Sequence, residues 1–346
     1  MNSPLSVRRP PFLADCHLHF EGCLPLETVE RLARRIGHSY ADRSAFEGER
    51  RALSSSTGFL RLYAEVCRLF RAPEDYLEAA RDVSAALASG GIAYAEIYVS
   101  PEIFGRIGLD AAACLEAVDI GLTAGASEGG ATCAILLDTV RHWGPEAGER
   151  VLDLYEKKPL ASIRGFGMGG DENALPAAPF AGVYARARAL GLKTSVHAGE
   201  WSGADSVREA LDALRPDRLD HGIAAVEDRE LLRRLANEGT VLCVAPSGNV
   251  VTGAVRELAG HPLKRLVEAG VRVALSADDP LFFSTTTLQE YQYVRGAFHF
   301  DDRQLTQLAQ NAWQTAFCPA SFKNQGLAGL GDWLPPGSPQ ASEEIS

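Results

Sequence analysis

The feature of this chain that most constrains its fold is the place of its histidines and carboxylates, at the ends of short apolar runs. His17 and His19 close LADCHLHF, His197 and Glu200 close LKTSVHAGE, His221 closes RLDHG, and Asp278 and Asp279 close VRVALSADDP. These runs are rich in Val, Leu and Ala, as strands buried on both faces are. Polar groups gathered at strand ends need a fold that brings those ends together. A parallel β/α barrel does so, because its site is assembled at the C-terminal rim from several strands.

Four further runs, AYAEIYVS (93–100), ATCAILLDT (131–139), SIRGFGMGG (162–170) and TVLCVAPS (240–247), bring the count to eight. Between the runs lie segments of helical period such as PLETVERLARRIG, PEDYLEAARDVSAALASGG and DRELLRRLANEG, several stopped by Gly. Strand alternating with helix eight times predicts a closed (β/α)8 TIM barrel, a parallel α/β fold. The 346 residues then form a single domain, with an ordered core over 13–325 and a flexible tail over 329–346. Residues 38–75 are too many for a plain connection from the first strand to the second, and predict an inserted helical element near the mouth, either a lid or a second packing helix. The segments TLQEYQYVRGAFHF and DRQLTQLAQNAWQTAF read as extra closing helices.

The net charge is −11, from 34 basic and 45 acidic residues, with no basic stripe or tail, which argues against nucleic acid as a partner. No apolar stretch reaches the roughly 20 residues of a membrane span, and the expectation is a cytoplasmic protein with no membrane partner. Seven cysteines, with no C-x-x-C pair, sit mostly in apolar runs and read as reduced core residues.

His17 and His19 stand two apart on a strand and so share a face, which at a barrel rim is the mouth. Imidazole suits zinc, and catalytic zinc sites use about three protein ligands with one position left for water. His197 and Asp278 end other strands and can add to the set. In HAGE, Ala198 and Gly199 allow a tight turn that re-aims the Glu200 carboxyl into the mouth, where desolvation would make it an acid near neutral pH. The bland alternative for Glu200 is a first-turn residue of the helix beginning near Ala204. Asp278 and Asp279, if the strand persists, face opposite ways.

The motifs DCHLHFEG, GGDE, HAGE, LDHG, the P-S-G-N of CVAPSGN and SADDP, in that order across about residues 13–315, resemble those of the adenosine and adenine deaminases of the amidohydrolase barrel superfamily. The resemblance implies one zinc ion per chain, held by His17, His19, His197 and Asp278. It implies Glu200 as proton donor to purine N1, His221 as the group that orients the attacking water, Asp279 on N7 and the backbone N–H of Gly170 on N3. The implied reaction is hydrolytic loss of the 6-amino group of a small purine as ammonia. The chain departs from the nucleoside enzymes at Phe20 and Glu21, where an Asp is usual, at Gly248 and at Ala277. These departures leave the N9 substituent open among adenosine, free adenine and 6-aminodeoxyfutalosine. Strand alternation from His19 aims Glu21 at the mouth, so an adenosine-type nucleoside with a ribose hydroxyl on Glu21 is the expected substrate. Two other classes stand beside this reading: a metal hydrolase cutting an amide or phosphoester, and a catalytically dead barrel that serves as a binding protein.

Overall fold

A computed structural model describes residues 13–333. The eight expected strands are present: β1 (Leu13–His19), β2 (Ile92–Val99), β3 (Thr132–Val140), β4 (Ile163–Gly169), β5 in two short pieces (Lys193–Thr194 and His197–Ala198), β6 (Leu219–His221), β7 (Val241–Val244) and β8 (Arg272–Leu275). Neighbours pair in parallel in chain order. The gap in β5 is spanned by Ser195 N–H donating to Phe166 O at 3.1 Å and Asp220 N–H donating to Val196 O at 2.9 Å. The barrel closes where Leu18 bridges Asp278 and His19 N–H donates to Asp278 O at 3.1 Å.

A buried carboxylate fastens that seam. Asp15 accepts from Ser276 Oγ at 2.7 Å, Thr287 Oγ1 at 2.6 Å, Ala277 N at 3.0 Å and His17 N at 3.1 Å. A fully buried carboxyl is tolerated only with such a complement of donors. Here they tie β1 to the segment after β8 and hold the two ends of the site together.

Helix α1 (Leu26–Ile36) follows β1, the insertion over 38–75 contains α2 (Arg43–Arg51) and α3 (Ser56–Cys67), and α4 (Pro73–Ser89) leads into β2. Helix α3 starts at Ser55, whose hydroxyl accepts from Gly58 N at 3.2 Å, and buries Phe59, Leu62, Val66 and Cys67. Its Phe59 ring lies 5.1 Å from Phe283 and its Tyr63 ring 5.4 Å from Phe282. The insertion therefore both packs on the barrel and stands at its mouth.

One expectation is corrected. Strand β8 stops at Leu275, so Asp278 and Asp279 do not lie on a strand and do not face opposite ways; both reach the mouth, because Asp278 takes a left-handed turn with φ 59°. At the start of the expected tail, Leu330 is buried and the Trp333 indole meets Tyr291 edge-on at 5.2 Å. Residues 334–346 lie outside the described part. Among the described residues no helix is long and apolar enough to cross a membrane.

Glu290, on the closing helix Thr287–Phe298, is fully buried and accepts from Ser247 N at 3.1 Å and Thr285 Oγ1 at 2.6 Å. Burial raises its pKa from 4.5 to about 7. The folded protein therefore holds this proton more tightly than the unfolded chain does. The associated stability is full below about pH 4.5 and is lost as pH rises through about 7, a cost of roughly 3 kcal/mol in alkaline solution. Glu290→Gln is expected to be more stable than the parent to urea at pH 8 and to lose that advantage at pH 4. Equal stability of the two proteins at both pH values would contradict this.

Candidate active site

The donors expected to hold a metal converge at the rim. His17 Nε2 and His197 Nε2 are 3.0 Å apart, and His19 Nε2 and His197 Nε2 are 3.2 Å apart. Asp278 Oδ1 lies 3.4 Å from His17 Nε2 and 3.3 Å from His19 Nε2. Ligands about 2.0–2.2 Å from a tetrahedral zinc stand about 3.3–3.6 Å from one another, so the set is close to what such an ion needs. Three imidazole nitrogens that meet edge to edge cannot all be satisfied by protons between them. Burial and then the neighbouring His17 and His19 push the His197 pKa well below its ordinary value, which keeps its lone pair free. For His19, burial works downward, but the charges of Asp279 and Asp278 outweigh it and raise the pKa to about 10. A second grouping, His17, His197, His221 and Asp278, is also close enough to share an ion, though His221 Nε2 stands 3.9 Å from the nearer Asp278 oxygen.

The ligand rings are backed by the barrel wall. Asp220 Oδ1 faces His17 Nδ1 at 4.0 Å and Asp220 Oδ2 faces His197 Nδ1 at 3.7 Å. Asp220 is itself held by Tyr98 Oη and by Ser195 Oγ, the latter at 2.8 Å. The Tyr98 ring stacks on His19 with centroids 5.1 Å apart.

Glu200 does not cap the following helix. Its Oε1 accepts from Asn249 Nδ2 at 3.2 Å, and its Oε2 faces His221 Nε2 at 3.4 Å. The turn that aims it is built by another carboxylate: Glu172 accepts from the backbone N–H groups of Gly199, of Glu200 at 3.0 Å, of Trp201 at 2.7 Å and of Ser202 at 3.1 Å. Burial alone would raise the Glu172 pKa, but the Ser206 hydroxyl and these N–H groups hold it below its ordinary value. Glu200 has the opposite fate. Burial, with the charges of Asp278 and Glu172, pushes its pKa far up, so it keeps its proton. His221, buried and with φ 63°, is pushed down to about 4 by burial and then by His17, and is neutral.

His19, His197, Glu200, His221 and Asp278 line a cavity of about 430 Å³ together with Gly170, Asp138, Trp201 and Asp279. Gly170 has φ +90°, and a Cβ there would stand 2.9 Å from Val140, so glycine alone brings the backbone to the wall. Asp279 Oδ1 is buried without a partner in the protein. The α3 side of the cavity is Phe59, Leu60, Tyr63, Ala64 and Cys67.

Glu21 is not where alternation from His19 would put it. Phe20 has helical dihedrals, and Glu21 falls in the turn Glu21–Cys23, buried and bonded to Tyr63 Oη at 2.6 Å through Oε2. Tyr63 lines the cavity and Glu21 sits behind it. Gly248, another of the departures, packs against Phe283, where a Cβ would stand 2.7 Å from the ring.

Comparison with known proteins agrees with this geometry. The family model described as adenosine deaminase matches residues 12–333. The chain belongs to the adenosine deaminase family. It is thus a hydrolytic deaminase acting on a C–N bond of an adenine-type substrate, of a metal-dependent family. An adenine deaminase of Rhizobium meliloti is 39% identical over 318 residues, which cover 92% of this chain and 97% of that protein. A second, from Rhizobium leguminosarum bv. trifolii, is 36% identical, with 91% and 98% covered. The crystal structure of an adenine deaminase from Arthrobacter aurescens superposes with a TM-score of 0.89 at 29% identity, covering 94% of this chain and 99% of that one.

In this deaminase His19, His197, Asp278, Glu200, His221, Asp279 and Gly170 share one cavity, while His17 is buried beside His197 and Glu21 also lies outside the lining. Residues that spacing alone did not single out complete the site. Glu172 and Asn249 stand inside motifs already noted, GGDE and P-S-G-N, but their partners lie 12 to 49 positions away in sequence. Asp220 precedes His221 in LDHG, and Tyr63 carries no local signal for its bond to Glu21.

Proposed function

We propose that this enzyme deaminates free adenine, taking up water and releasing ammonia and hypoxanthine, with one zinc ion held by His17, His19, His197 and Asp278. The observation that carries the free-base reading is the Tyr63–Glu21 hydrogen bond of 2.6 Å. It occupies the carboxyl that would otherwise read a ribose hydroxyl and sets a phenol ring between that carboxyl and the cavity. The near full-length likeness to proteins named adenine deaminase supports the same choice.

Zinc in such a set acts as a Lewis acid and lowers the pKa of water to about 7, which makes a nucleophile available at neutral pH. The protein groups handle the rest. Glu200, kept protonated by burial, gives its proton to ring nitrogen N1, so that the ring accepts electrons as C6 is attacked. His221 Nε2, facing Glu200 and Asp278, orients the attacking water. The Asp279 carboxyl, whose Oδ1 has no partner in the protein and whose pKa is pushed up by burial and by Asp278, keeps a proton to donate to N7, and the Gly170 N–H meets N3. The C6–N bond then breaks, the amino group leaves as ammonia with one proton of the water, the other water proton returns to Glu200, and the water oxygen stays as the 6-oxo group.

Steady-state kinetics on adenine, adenosine and deoxyadenosine with one metal-loaded sample test the reading. Adenine is expected to exceed both nucleosides in kcat/KM by at least about a hundredfold, a difference of about 2.8 kcal/mol. Adenosine equal to or better than adenine would overturn it. Tyr63→Phe, which leaves the buried Glu21 carboxyl without its donor, is expected to lower stability to urea by about 1–3 kcal/mol. An unchanged midpoint would show that this hydrogen bond carries no weight.

A further inference from the structure

We propose that His261, which lies outside the cavity lining, is a positioning residue that sets the proton pattern of His221 and Glu200 through the side-chain amide of Asn249. Leu263 N lies 3.0 Å from His261 Nδ1, and a backbone N–H can only donate, so Nδ1 accepts. Burial, and then the nearby His221, hold the His261 pKa down to about 3, so the ring is neutral and its single proton is on Nε2. That nitrogen lies 3.1 Å from the Asn249 amide, which must therefore turn its oxygen toward His261.

The amide nitrogen then faces the active site. It stands 3.2 Å from Glu200 Oε1 and 3.2 Å from His221 Nδ1, and its two protons serve both. His221 Nδ1 is thereby an acceptor, and the His221 proton is on Nε2, pointing to the cavity side. Glu200 Oε1 is likewise an acceptor only, which confines the transferable proton to Oε2. Reversal of the amide would place its oxygen between Glu200 and His221 and demand the other His221 tautomer. Asn249 is fully buried, so no exposed water competes for its protons.

The inference rests on the reading of Glu200 and His221 as the proton-handling pair, but its first readout does not. In metal-loaded enzyme labelled with ¹⁵N-histidine, His221 is expected to show a protonated Nε2 and an unprotonated Nδ1. His261→Gln, which offers an N–H where Nε2 was, should keep that pattern. His261→Met, which has no donor, should lose it. The kcat of His261→Met should fall about 10- to 100-fold with KM and metal content unchanged, and His261→Gln should recover most of the loss. A parent His221 protonated on Nδ1, a His261→Met variant with parental tautomer and kcat, or equal losses in both variants would overturn the proposal. A changed tautomer with parental kcat would uphold the relay and overturn instead the roles given to Glu200 and His221.

Discussion

Glu200→Gln is expected to lower kcat by about 100- to 10,000-fold while the bound metal stays at one ion per chain. The amide keeps the shape of the side chain and its contact with Asn249, 3.2 Å away, but has no acidic proton to give. Burial and the charges of Asp278 and Glu172 raise the parent carboxyl so far that it holds its proton at neutral pH, and the variant removes that proton without altering the donor set of the metal. Rate and metal content measured on the same sample separate the two. A fall of less than about tenfold would mean that N1 takes its proton from elsewhere.

His197→Ala should strip the metal and lower activity by at least about a thousandfold. His197 Nε2 stands 3.0 Å and 3.2 Å from the other two histidines of the set, so its loss leaves three donors spread around an open corner. Metal-ion catalysis contributes several kcal/mol, at about 1.4 kcal/mol for each factor of ten. The fold should survive, because strand pairing at this position is made by the backbone, His197 opposite Asp220. Metal analysis with circular dichroism checks both halves. A variant with full metal content and full rate would remove His197 from the site.

The barrel was legible because its signals are local. Each strand is a short apolar run and each rim residue ends one, so eight runs and their last polar residues could be marked without knowing any contact. The alternation argument worked for His17 and His19, which lie inside β1, and failed for Glu21, because Phe20 turns helical and the two-residue period ends there. It failed in the same way at Asp278, where a left-handed residue follows a strand that has already ended. The supporting residues were hidden for a different reason. Glu172 holds the Glu200 turn, Asp15 closes the seam with Ser276 and Thr287, and His261 meets Asn249, and each of these depends on what distant segments place beside it. A buried acid or amide in a strand-end motif marks where to look, but its partner is a property of the folded chain.

The most direct test is a zinc titration of metal-stripped enzyme with adenine as substrate, following hypoxanthine and ammonia together. The proposed mechanism predicts no turnover without metal, a linear rise to a plateau at one zinc per chain, and one ammonia for each hypoxanthine formed. Full turnover in metal-free protein, or a plateau at two zinc ions per chain, would contradict it.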